Sequence, residues 1–219
     1  SIASGIATNL TLFFYSYFWE FTPLNILTIG LTLFLTPLIG LKVSPLLAAT
    51  LGKRKTIIYL FAIAFIAENL IILMRILNIL PGNDSIFILP LVLIFHWIAI
   101  SAQIISYTNL ASMVFDTVEE VEKLTGRRME GTLLAARSFA AKCMSGAGAF
   151  LAGLILSYAA WPKGAVAGEV ESSILNSVGL FAISISAVLW LSAIFVFSKV
   201  KMTRASHEDN LGELNYSND

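Results

Sequence analysis

One cysteine and two histidines are all that 219 residues offer in soft or nitrogen metal ligands. A lone Cys143 excludes a disulfide framework, and so thin a supply argues against a Cys/His metal site. Charge is equally scarce, at 13% of the chain with a formal net of zero, so nothing marks a nucleic-acid partner. No HExxH, paired cysteine or Ser/His/Asp set is present, which argues against an enzyme. What fills the space is apolar: 57% of residues are hydrophobic and the mean hydropathy is +0.82, outside the range of soluble domains.

A helix that spans a bilayer needs ~20 mostly apolar residues. Six segments qualify or nearly so, at about 2–20, 23–51, 56–79, 86–114, 130–160 and 173–198. They predict an all-α integral membrane bundle over residues 1–200, with a charged connector at 115–129 and a polar, disordered tail at 201–219. Pro37 and Pro45 predict a kinked or tilted second span. Short turns with strong breakers separate the neighbours: Thr22-Pro23, Gly52-Lys53, Pro81-Gly82-Asn83-Asp84 and Trp161-Pro162-Lys163-Gly164. The chain opens directly on apolar Ser1-Ile2-Ala3, which predicts a piece of a longer protein.

Lys and Arg set the expected orientation. One set of loops holds Lys53, Arg54, Lys55, Lys123, Arg127, Arg128, Lys199, Lys201 and Arg204, while the opposite set holds Lys163, with Arg75 near a helix end. Nine against two places both ends of the chain in the cytoplasm of a cell (inner) membrane and requires an even number of spans. Trp19, Tyr158 and Trp161 fall near the external boundary, where amphipathic rings are favoured.

Ionisable residues inside such helices are costly and mark functional-site candidates. At ~1.5 Å rise per residue, Lys142 lies roughly 18 Å beyond Glu130, Glu68 roughly 20 Å beyond Lys55, and Lys42 roughly 16 Å before Lys53. All three sit near the midplane, where carriers place their sites. Lys142 reads as a carboxylate partner or a donor to a solute; the competing reading is a structural ion pair with Glu68 or with a carboxylate elsewhere. Glu68 and Lys42, at matched depth on adjacent antiparallel helices, read first as structural glue and second as direct solute contacts. Arg137 lies about 140° around the helix from Lys142, so the two cannot share a target, and snorkelling to the interface suits it better. His96 is either a proton relay or a packing residue. Tyr15, Tyr17, Asn9, Gln103, Tyr107 and Asn109 are further candidates to line an aqueous path. Ser145, Ala149 and Gly153, at four-residue spacing, suit close helix packing.

The connector runs Asp116-Thr-Val-Glu119-Glu-Val-Glu122-Lys-Leu-Thr125-Gly126-Arg127-Arg128-Met-Glu130-Gly131. It resembles the cytoplasmic signature before helix eleven in the glycoside–pentoside–hexuronide:cation symporters, the melibiose-permease branch of the major facilitator superfamily. Asp116, Glu119, Glu122, Thr125, Gly126, Arg128, Glu130 and Gly131 carry the resemblance, with Glu119 where Asp is more usual. Lys142 falls where melibiose permease has a functionally important lysine, twelve residues after the corresponding Glu. The glutamine–threonine pair that precedes the family lysine is here Arg137-Ser138, a departure that bears on sugar specificity.

The resemblance implies the C-terminal half of a 12-helix major facilitator fold, six spans matching helices seven to twelve. It implies a secondary active transporter that carries a sugar, glycoside-like or other small solute, driven by Na⁺ or H⁺. No tightly bound cofactor is implied, and the partners are the solute, the bilayer and the N-terminal six-helix half. The resemblance reaches Lys142 alone among the intramembrane ionisable residues. With Glu68, Lys42 and His96, read from their place in the spans, Lys142 would line the substrate and cation pathway. Asp116, Glu119, Glu122, Arg127, Arg128 and Glu130 would form a cytoplasmic gate of state-dependent ion pairs. From another class, a self-contained six-helix structural subunit or a lipid-related membrane enzyme remains the alternative.

Overall fold

The structure is a computed structural model that describes residues 2–127 and 129–199, the side chains at 119, 120, 123 and 124 excepted. The tail at 201–219 lies outside the described residues, among which there are helices joined by turns and no strand. The elements are α1 (Ile2–Phe13), a π-helical turn (Phe14–Phe18), α2 (Pro23–Leu33), α3 (Thr36–Leu51), α4 (Lys53–Ile76), α5 (Ile88–Thr125), α6 (Glu130–Tyr158) and α7 (Ser172–Lys199). Counting α2 and α3 as one span, five segments are long and apolar enough to cross a membrane. The sixth, α1 with its π-helical turn, is shorter. In lipid every backbone polar group must be satisfied within the chain, which is why this composition gives helices and nothing else.

Local chemistry sets the breaks. Thr22 caps α2, its Oγ1 accepting from the Asn25 N–H at 3.2 Å, and Pro23 follows where no N–H is needed. Pro37 cannot donate to the Leu33 carbonyl, and the chain bends at Phe34–Leu35 between α2 and α3. The Thr36 hydroxyl donates to that same carbonyl at 2.7 Å and removes the cost of leaving it bare. Gly52, at φ +79°, turns α3 into α4 with no connecting loop. The 115–129 connector is largely helix: α5 continues through its acids to Thr125, and Gly126 ends it in the left-handed conformation with its N–H on the Glu122 carbonyl at 2.8 Å.

The bundle packs α4 on α5 and α7, α5 on α3, and α1 on α6. The α1–α6 crossing is a glycine contact. A Cβ on Gly148 would stand 2.6 Å from the Gly5 backbone, so α6 accepts no side chain there, and one on Gly5 would stand a tight 3.1 Å from Gly148 Cα. The inner face of α6 is Gly148, Ala152 and Ile155. Ser145, Ala149 and Gly153, the small residues expected to pack, are exposed within the described bundle because Gly148 has already set the helix's rotation.

One large apolar cluster joins α1, the π-helical turn, α4, α5, α6 and α7, and includes Ile6, Leu10, Phe18, Trp19, Ile155 and Val178. A smaller one gathers Ala3, Ile57, Phe61, Met113 and Trp190 near the other end. Trp19 is only 2% exposed, so it is a core residue and no lipid-facing belt residue. Trp161 packs edge-on against Phe13 and Tyr17, while Tyr158 is exposed. The outer surface is studded with Leu24, Leu31, Phe34, Leu38, Phe150 and Leu191, all exposed. Apolar side chains exposed along helices of membrane-spanning length suit a lipid environment, and the protein is an integral membrane protein.

The candidate functional site

Polar groups sort to the two ends and one internal cavity. At the end where α3 meets α4, Lys53 Nζ pairs with Asp116 Oδ2 at 2.6 Å and Oδ1 at 2.8 Å, and the Arg54 guanidinium donates to the Ser198 carbonyl. At the opposite end Tyr17 Oη donates to the Ala165 carbonyl at 3.4 Å, and Asn83 Nδ2 to the Phe18 carbonyl at 3.3 Å. Between them Asn109 Nδ2 reaches Ser44 Oγ at 3.0 Å, a fully buried polar link between α5 and α3. The buried Asn109 amide and Ser44 hydroxyl are tolerated here because they pair with each other.

The cavity measures about 60 Å³ and lies between α1 with its π-helical turn, α4, α5 and α7. Its polar lining is Thr11, Tyr15, Glu68, Asn69, His96 and Ser186, set among Ile6, Leu10, Ile71, Ile72 and Val92. The π-helical turn places Tyr15 there. The Trp19 N–H reaches back five residues to the Phe14 carbonyl at 2.9 Å, widening the turn, and Tyr15 is left 6% exposed. Its hydroxyl is buried without a hydrogen-bond partner. Its ring meets His96 edge-on, centroids 5.8 Å apart. Gln103, two turns along α5 from His96 and so on the same face, donates from Nε2 to Glu68 Oε2 at 3.4 Å.

The sequence candidates therefore divide into three groups. Glu68 and His96 come together in the cavity. Lys42 and Lys142 do not join them; both are exposed, on α3 and α6. The ion pairs considered for Glu68, with Lys142 or with Lys42, are not formed, and the amide of Gln103 stands in their place. The reason is geometric. Helix α6 packs on α1 rather than α4, and Lys142 lies six residues from Gly148, about 120° around the helix from the buried face. Arg137 is exposed as well.

Of the proposed gate residues, Asp116 is bound to Lys53. Glu122 and Glu130 are half-buried near the end of α5 and at the start of α6, each with a partner, and Arg127 is exposed. The side chain of Glu119, and Arg128 as a whole, lie outside the described residues. Lys53 has a more specific role than its place in a topogenic charge count suggested. Asn69 and Ser186 entered the cavity without any sequence signal, being single polar residues on apolar helices.

Membrane-length helices around a mainly apolar cavity with a few convergent polar side chains suit a carrier that moves a solute across a bilayer. A family model described as MFS/sugar transport protein matches residues 1–204, and the chain belongs to that family, a transporter family of the major facilitator superfamily. No curated protein and no solved structure matches the chain. The helices are thus a partial major facilitator bundle.

Proposed function

We propose that the chain is the C-terminal six-helix half of a melibiose-permease-like symporter that takes up a sugar, glycoside or similar small solute with Na⁺ or H⁺. The observation that carries this reading is the state of α6. Every residue from Ala135 to Cys143 is exposed, including Arg137 and Lys142, although this stretch lies within a membrane-length helix. A lysine held at that depth needs a polar partner or an aqueous path. An N-terminal half facing α6 across a central solute path supplies both.

Both termini of the segment then face the cytoplasm of the cell membrane. The Lys53–Asp116 pair and the charged end of α5 form the cytoplasmic closure. Ion pairs there bias the alternating states by whatever energy they lose when that side opens. The test is uptake of radiolabelled melibiose and related glycosides by vesicles carrying the full-length protein. Accumulation that an imposed Na⁺ or H⁺ gradient drives, and that collapses with the gradient, is the expected result. Uptake indifferent to both gradients would remove symport.

A further inference from the structure

We propose that Glu68 is a reversible proton-binding carboxyl, housed in the cavity between α1, α4, α5 and α7 and separate from the α6 face that carries Lys142. The idea deepens the transport reading and rests on it only for the use made of the proton. Binding itself is an equilibrium property of the cavity.

A carboxylate buried among apolar helices needs a compensating charge or a proton. No lysine or arginine lines the cavity, and Glu68 has no ion-pair partner among the described residues. The charged and titratable groups on the surrounding elements are accounted for in turn. From α5 come His96 in the cavity wall, Tyr107 packed on Phe61, Asp116 paired with Lys53, and Glu122 near that helix's end. The π-helical turn brings Tyr15 in the cavity wall and Tyr17 on the Ala165 carbonyl, and Tyr59 of α4 is exposed. Lys42 of α3 is exposed, Lys199 of α7 stands at that helix's far end, and the cations of α4 itself, Lys53, Arg54, Lys55 and Arg75, sit at its two ends. What reaches Glu68 is the neutral Gln103 amide on Oε2. That contact serves one oxygen and leaves the charge uncompensated.

A proton added to the carboxylate, drawn from cavity water, makes a neutral acid and removes the deficit. The space is adequate, since a water needs ~10–15 Å³ of such volume and the cavity offers about 60 Å³. The orphaned Tyr15 hydroxyl points to the same conclusion. A buried hydroxyl without a protein partner is costly unless water satisfies it. The π-helical turn that presents it is a feature found frequently at functional sites. A hard metal cation is served less well, because such ions take a full shell of oxygens and this wall offers an imidazole and branched aliphatic chains.

The proton itself is the probe. Infrared difference spectra of the purified full-length protein in liposomes are recorded as bulk pH is stepped in sodium-free buffer. A carboxylic-acid C=O band that appears and disappears with pH is expected, absent in Glu68→Gln, kept but shifted in midpoint in Glu68→Asp, and shifted in Tyr15→Phe. A Glu68→Gln spectrum identical to the parent overturns the proposal. So does a Glu68 band that no pH removes, or one that added Na⁺ abolishes at fixed pH. Should Glu68→Gln fail to fold, a Glu68→Asp band unchanged from the parent overturns it equally. Intact titration without gradient-driven uptake would defeat the symport reading and leave this one standing.

Discussion

Lys53, the first residue of α4, holds Asp116 of α5 across 63 positions of sequence, with both carboxylate oxygens within 2.8 Å of its ammonium. The pair closes one end of the α4–α5 contact and pins the point at which α5 leaves its apolar stretch and becomes charged. The Arg54 guanidinium on the Ser198 carbonyl brings α7 to the same end. Three helices are thus tied at one pole by two consecutive cations.

Charge reversal tests whether that tie is specific. The pair is part-buried, with side chains 33% and 14% exposed, so a coupling near the upper end of ~0.2–1 kcal/mol is expected. Lys53→Asp and Asp116→Lys should each lower the melting temperature in detergent, and the double exchange should recover most of the loss. A double variant as unstable as the sum of the singles would show that the two groups do not interact.

The α1–α6 crossing has no spare volume. Gly148→Leu puts a side chain where a bare Cβ already meets Gly5 backbone at 2.6 Å, and the helices must separate. Overpacking of this kind typically costs ~1–3 kcal/mol, read as a lower melting temperature and a loss of monodisperse protein. Gly153→Ala, where an added Cβ meets nothing within 4 Å, should be neutral or slightly stabilising through its helix propensity. Equal effects at the two positions would contradict the observed rotation of α6.

Much of the bundle was legible because its signals are local. Thr22-Pro23 announced a break between spans, where the structure adds the Thr22 cap, and Pro37 announced the bend that Thr36 satisfies. The course of α5 past residue 114 was less legible. Hydropathy reports where the apolar stretch ends, while the backbone stays helical until Gly126 stops it. Partnerships were the hardest to read. Depth along a helix said that Glu68, Lys42 and Lys142 lie at similar levels, but helix rotation decides what meets, and that is set by contacts such as Gly5–Gly148 which no depth count contains. Trp19 shows the same limit: an aromatic at a helix end suits a membrane interface or a core, and the π-helical turn beside it chose the core.

The ends of the bundle give a direct topology test. Asn83 lies with Phe18 at one pole, and Thr125 ends α5 at the other, beyond Asp116. Single cysteines introduced at the two positions, with Cys143 replaced by serine, should react with a membrane-impermeant maleimide from opposite sides. Asn83→Cys should label on intact cells and Thr125→Cys only after permeabilisation. Labelling from one face would refute the arrangement.

Lys142 and Arg137 test the proposed division of α6 into a solute-path residue and an interfacial one. Both are exposed on α6, but Lys142 is seven residues beyond the start at Glu130 plus five more, while Arg137 lies within two turns of that start. A guanidinium that shallow can extend to the headgroups, whereas the deeper ammonium needs a partner within the protein. Lys142→Ala should therefore abolish or uncouple solute accumulation with membrane expression largely intact. Arg137→Ala should reduce it by no more than a few-fold, on the order of the ~1 kcal/mol that an exposed charge contributes. The measurement is solute uptake in vesicles with a Na⁺ or H⁺ gradient imposed, normalised to protein in the membrane. Parent-level accumulation by Lys142→Ala under both gradients would make that lysine a structural residue and would remove it from the transport path.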